Sequence, residues 1–229
     1  MHSHVTWQVG DIEEGFAQAQ QVFEHSFTTH SQHQGFIEPH ASVVSVDAEG
    51  RAHLWISNKM PVRAQKLLAD AVQLPQEQVV VHPVCIGGDF GGKGSLMDSP
   101  LCYHLSKRTG RPVKMVMTRT EVLKATGPTP GSYLKVKMGA KKDGTLVAAQ
   151  AYMAYEAGAM PGSPVGAGAG CIFSPYNIEH IVIDGYDVVV NKPKTSAYRA
   201  PGAPQATLGV ETVVDEICQQ IGMDPLEFR

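Results

Sequence analysis

Residues 85–95 read Cys85-Ile86-Gly87-Gly88-Asp89-Phe90-Gly91-Gly92-Lys93-Gly94-Ser95 and place five glycines within positions 87–94. Each glycine gives up side-chain packing and adds to the entropy lost on folding, so this density requires a reason. A plain strand-to-helix connection needs one or two. Two Gly-Gly pairs around one aromatic instead suit close approach of backbone to a ligand, with Phe90 aimed at it. The amides of such a loop form a nest for an anion or an oxo group.

Three short motifs nearly fit. Gly87-x4-Gly92-Lys93 matches a phosphate loop up to its last letter, where Gly94 stands in place of the Ser or Thr hydroxyl that holds Mg²⁺. Asp89-Phe90-Gly91 spells the kinase metal-binding triplet, without the catalytic-loop segment that must precede it. A dinucleotide fingerprint starting at Gly87 fails because position 89 is Asp.

The 229 residues carry a formal charge of −3 and no basic run, which argues against nucleic acid as a partner. Cys85, Cys102, Cys171 and Cys218 lack CxxC spacing, so free thiols in a reducing, cytoplasmic setting are expected. The first residues have neither a basic region nor an apolar core, and no signal peptide is expected. Ala157 to Ile178 is uncharged over a membrane-like length; with five glycines, three prolines and few large apolar residues it reads as a loop, not a membrane span. His30-Ser31-Gln32-His33 has no Glu or Cys in ligand register, so polar loop histidines account for it better than zinc does.

Around the loop, periodicity predicts an α+β fold: a mixed β-sheet with packed helices. A helix is expected from Asp11 to Phe23, with Ile12, Phe16, Ala19, Val22 and Phe23 on one face. Strands are expected over Phe36–Val46 and Arg51–Ser57, joined by a turn at Asp47–Gly50. A helix follows over Val62–Val72, then a strand over Val79–Cys85. After the loop come a helix from Asp98 to Arg108, a strand from Pro112 to Met117, and a hairpin of Tyr133–Ala140 and Thr145–Tyr155. A strand from His180 to Val190 precedes a long helix striped by Val210, Val213, Val214, Ile217, Cys218 and Ile221, stopped at Gly222. Asp224-Pro225-Leu226-Glu227 is a helix start, so the chain is expected to be the front part of a longer protein.

The loop, taken with other segments, resembles the molybdenum hydroxylases of the xanthine dehydrogenase and aldehyde oxidase family. "GGDFGGKG" is similar to that family's GGxFGGK loop. Phe36-Ile37-Glu38-Pro39-His40 resembles its E-P strand, and Ile56-Ser57-Asn58-Lys59-Met60-Pro61 its S-T-Q-x-P segment. Arg108-Thr109-Gly110-Arg111-Pro112-Val113-Lys114, the arginine loop Ala197 to Gln205, and Met223 to Arg229 complete six matches in order.

The resemblance implies a molybdopterin-binding domain over residues 1–229, the first of two in a molybdenum-binding subunit. It implies a cofactor whose metal carries oxo, sulfido and hydroxo ligands, and hydroxylation of an aldehyde or N-heterocycle with water as the oxygen source. By resemblance, cofactor contacts fall to Gly88, Phe90, Gly91, Gly92, Lys59 and Arg199, with the Gly91 backbone against the metal's oxo ligand and no direct metal ligand. The family's catalytic base, a glutamate, is expected beyond Arg229, so the chain alone is expected to be inactive. Implied partners are the second molybdopterin-binding domain and iron–sulfur and FAD subunits or domains.

Two departures bear on substrate and site. Lys59 stands where the family's glutamine is usual, and Gly94 where purine oxidisers carry a glutamate. From Asp143 to Asn191 there is no Lys or Arg for substrate binding, which argues against xanthine. The alternative is a non-catalytic domain or partner module that keeps the fold without the cofactor. Lys93 is expected to anchor its own loop, and Cys171 to be an apolar filler.

Overall fold

The computed structural model describes residues 2–229. They form two compact units, one of residues 2–32 and 128–229, the other of residues 33–127.

The first unit is built on a five-stranded sheet in the order β1-β9-β8-β7-β2. These strands are β1 (Ser3–Val9), β2 (Gln21–Thr29), β7 (Ser132–Ala140), β8 (Leu146–Gly158) and β9 (His180–Val189). Pairing is antiparallel except between β8 and β9. A parallel neighbour needs a crossover of a dozen or more residues. The Gly/Pro-rich stretch after Gly158 is that crossover, and it carries a short helix α5 (Val165–Cys171) where a loop was expected. Helix α6 (Ala203–Ile221) buries Val210, Val213, Val214, Ile217 and Cys218, as its 3.6-residue stripe requires, and ends at Gly222 with φ +70°. Asp224 caps the final turn α7 (Pro225–Phe228), accepting from the amides of Leu226 and Glu227.

Helix α1 spans only Ile12–Gln18, capped by Asp11. The expected extension to Phe23 is wrong: Val22 and Phe23 belong to β2, where Phe23 lies opposite Met138 of β7. Ladder pairing outweighed a helical period that these β-favouring residues fit only by coincidence.

The second unit has a four-stranded sheet in the order β5-β4-β3-β6, made by β3 (Ala41–Val46), β4 (Ala52–Ile56), β5 (Val79–His82) and β6 (Val113–Val116). Helices α2 (Pro61–Val72) and α3 (Ser99–Thr109) join Val44, Leu54, Ala64, Leu68 and Tyr103 in one buried cluster. The parallel β4–β5 pair is bridged by α2. Residues 36–40 are not the start of β3 as expected; they form a bend and loop before it. Pro39 supplies no amide to a ladder, which keeps that stretch free of the sheet. Helix α4 (Arg119–Ala125) was missed, although Thr118 and Glu121 close a full capping box that the sequence spells.

Candidate functional site

Strand β5 stops at His82, before Pro83, and the glycine loop follows. Two internal ion pairs shape it. Lys93, whose side chain is 0% exposed, donates through its ammonium to Glu38 Oε2, and the Gly87 amide donates to the same oxygen at 2.8 Å. The Lys93 ammonium also lies 5.2 Å from the centre of the Phe36 ring. Asp89 makes the second anchor. Its Oδ2 accepts from the Gly91 amide at 2.8 Å, and its Oδ1 from the Lys93 amide at 2.5 Å. Its backbone carbonyl accepts from Gly92 at 2.9 Å. The Lys59 ammonium completes the set, 3.2 Å from Asp89 Oδ2.

Charges follow these contacts. The Lys93 ammonium holds the Glu38 carboxyl below its usual range, against the opposing effect of burial and with help from the Gly87 amide. Burial pushes the Asp89 carboxyl up, and the Gly91 and Lys93 amides with the Lys59 ammonium more than reverse it, so its acidity is enhanced. His40, buried at the edge of the Phe36 ring, is pushed down to about 4 by burial and then by the charge of Lys93.

Of the residues singled out in the sequence, Gly88, Phe90, Gly91, Gly92 and Lys59 come together on this loop and its neighbour strand end. Phe90 is 49% exposed and sits at φ +49°, in the left-handed region uncommon for a side-chain-bearing residue; Gly91 follows at φ +112°. A Cβ on Gly88 would stand 3.1 Å from the Phe90 ring. Gly92 is buried, and a Cβ there would meet Phe36 at 2.7 Å. The Gly91 amide donates within the loop, whereas the consecutive amides of Gly88, Asp89 and Phe90 donate to nothing among the described residues.

Arg199 lies in the first unit. It is exposed and makes no hydrogen bond or ion pair among the described residues. Its loop bends through Ala200 at φ +59° and Gly202 at φ +88°. The buried Tyr155 hydroxyl donates to the Gly202 carbonyl at 2.9 Å, and a Cβ on Gly202 would come within 2.5 Å of the Pro164 carbonyl oxygen.

Asp89 and Tyr155 are the side chains holding these two loops that sequence reasoning missed. Asp89 had a local signal: an Asp two residues before Gly91 is an Asx turn in which the side chain accepts the i+2 amide. Tyr155 had none. The phosphate-loop alternative also fails on geometry, because the Lys93 ammonium is buried against Glu38 and cannot reach a phosphate. Cys171 is half-buried beside the core of the first unit, as a filler would be.

The loop thus presents exposed glycines, a half-exposed aromatic and amides without acceptors along one stretch of backbone. The molybdopterin cofactor-binding domain model matches the chain over residues 1–229, and the chain belongs to that family. It is 32% identical over 226 residues to the nicotinate dehydrogenase large molybdopterin subunit of Eubacterium barkeri, covering 97% of this chain and 53% of that subunit. It is 29% identical to the aldehyde oxidoreductase molybdenum-binding subunit PaoC of Escherichia coli K12, covering 96% of this chain and 30% of that subunit. Among solved structures, the aldehyde oxidoreductase of Desulfovibrio gigas superposes with a TM-score of 0.89 at 30% identity, over 99% of this chain and 25% of that one. The chain thus spans about half or less of the length of these relatives.

Proposed function

We propose that this chain is one wall of the molybdenum site in a molybdopterin-dependent hydroxylase acting on an aldehyde or an N-heterocycle. The observation that carries the proposal is the Gly87–Phe90 stretch: exposed backbone, an aromatic beside it, and three consecutive amides without acceptors. Those residues suit the cofactor, whose phosphate and oxo groups are hydrogen-bond acceptors. Once bound, the cofactor supplies a metal centre able to take up two electrons as oxygen from water is added to an electron-poor carbon.

The chain's own contribution is placement. Gly88 and the Phe90 ring orient the group, and the amides of residues 88–90 donate to its acceptors from fixed positions, which avoids reorganisation when charge develops. Lys59 brings positive charge to the same wall, and Arg199, in the other unit, is proposed as a further cofactor contact on the family resemblance. The proton-accepting glutamate, the second molybdopterin-binding domain, and the iron–sulfur and FAD carriers are assigned to polypeptide outside these residues. A cytoplasmic location is part of the proposal and is supported by four free cysteines; no helix of the described residues is long and apolar enough to cross a membrane.

The test is elemental analysis and turnover of the complete native protein against the 229-residue chain. Molybdenum in the former with oxidation of an aldehyde or N-heterocycle, and no turnover by the latter, is expected. A complete protein free of molybdenum and without oxidoreductase activity overturns the proposal and favours the non-catalytic alternative.

A further inference from the structure

The glycine loop is built like an anion nest, yet its nest amides are already spoken for. The amides of Gly91 and Lys93 both point at the Asp89 carboxylate, at 2.8 and 2.5 Å, and the Lys59 ammonium balances that charge at 3.2 Å. The loop therefore carries its own anion. Phe90 and Gly91, the two residues between Asp89 and Gly92, both hold positive φ, the bend that brings these amides round the carboxylate.

We propose that Asp89 is a positioning residue: its carboxylate fills the loop's own nest, with Lys59 as counter-ion, and thereby holds the backbone in its binding conformation before any ligand arrives. A consequence is a division of labour along the loop. The amides of Gly91 and Lys93 are spent internally, and those of Gly88, Asp89 and Phe90 have no acceptor among the described residues. Holding the left-handed pair Phe90–Gly91 open without this internal anion would leave two donors unpaired and Phe90 strained. Lys59, an oddity when read from sequence, becomes the group that keeps the Asp89 charge compensated. The statement about Asp89 concerns the chain by itself; only the assignment of the amides of Gly88, Asp89 and Phe90 to the cofactor rests on the proposed function.

Amide hydrogen exchange on the 229-residue chain, with no cofactor present, separates the two. In the unaltered chain the Gly91 and Lys93 amides are protected and those of Gly88 and Phe90 are not. Asp89→Gly should raise exchange at Gly91 and Lys93 by roughly 10- to 100-fold, the range expected for losing a hydrogen bond to a charged acceptor. The emptied nest should then accept a small external carboxylate, and formate should restore protection at those two amides. Formate should have no such effect on the unaltered chain. The charge swap Lys59→Asp with Asp89→Lys should fail to restore protection, because an ammonium cannot fill a cluster of donors; a plain ion pair would be rescued by the swap. Unchanged exchange at β3 and β4 certifies that each variant is folded. Should Asp89→Gly not fold, Lys59→Gln serves, with a smaller rise at the same two amides. Protection in Asp89→Gly equal to that of the unaltered chain, absence of formate rescue, or rescue by the swap overturns the proposal. Failure of the complete protein to contain molybdenum leaves it standing.

Discussion

Lys93 and Glu38 are joined across 55 positions of sequence: a wholly buried ammonium donates to a carboxylate oxygen that also takes the Gly87 amide at 2.8 Å. One carboxylate thus ties both ends of the glycine loop to the segment before β3. The two partners are not equivalent, since the Glu38 side chain reaches solvent and that of Lys93 does not.

This asymmetry predicts unequal costs. Lys93→Met leaves a carboxylate that water can still solvate, and should cost about 1–2 kcal/mol, near the worth of one charged hydrogen bond. Glu38→Ala leaves a buried, uncompensated cation, and should cost about 3 kcal/mol or more. Urea unfolding of the two variants checks the order; a greater loss for Lys93→Met would contradict it.

Stability should begin to fall with acid above the ordinary carboxylate range. His40 has its folded value at about 4, below the ordinary 6.5, so between these values the unfolded chain binds a proton that the folded chain does not. Stability therefore decreases as the pH drops from about 6.5 toward 4, by at most about 3.5 kcal/mol at ~1.4 kcal/mol per pH unit. His33, also lowered by burial, acts in the same direction. Glu38 and Asp89, both lowered, hold their contributions above the ordinary carboxylate range and lose them as the pH falls from there through their own folded values. His40→Phe should flatten the profile between pH 6.5 and 4.5; an unaltered slope in the variant would remove His40 as its cause.

The loop glycines should not respond alike. A Cβ at Gly92 meets Phe36 at 2.7 Å, whereas at Gly94 the first neighbour is Lys59 Cε at an ordinary 3.8 Å. Gly92→Ala should cost about 1–3 kcal/mol by overpacking, and Gly94→Ala within about 0.5 kcal/mol. Gly91→Val should destabilise the chain even without ligand, since φ there is +112°. Thermal unfolding of the three variants decides, and equal midpoints would mean that the loop relaxes freely.

On α6, Ile217 is 0% exposed and Leu208 48%. Ile217→Ala should cost about 2–5 kcal/mol, and Leu208→Ala within about 1 kcal/mol. Chemical denaturation giving equal losses would place the helix face elsewhere.

The local patterns were legible because their causes are local. The α6 stripe and its stop at Gly222, the capped starts at Asp11 and Asp224, and the hairpin around Lys142-Asp143-Gly144 are each set by residues within a turn or two of one another. Helix α5 was hidden because its Gly-Ala composition carries no stripe, and β1 because its few residues pair only with β9, far along the chain.

The sequence by itself determined the mixed α+β character, the position of the glycine loop after a strand, and the order of segments that marks the molybdopterin cofactor-binding family. Only the tertiary structure decided what the loop's charges do. No linear pattern pairs Glu38 with Lys93 or Lys59 with Asp89, and these pairings depend on β4, β5 and the stretch before β3 bringing the side chains within hydrogen-bond reach of Lys93 and the loop amides. Electrostatic and hydrogen-bond energies fall away within a few ångströms, so partners separated by 30 or 55 positions interact only after the sheet has formed.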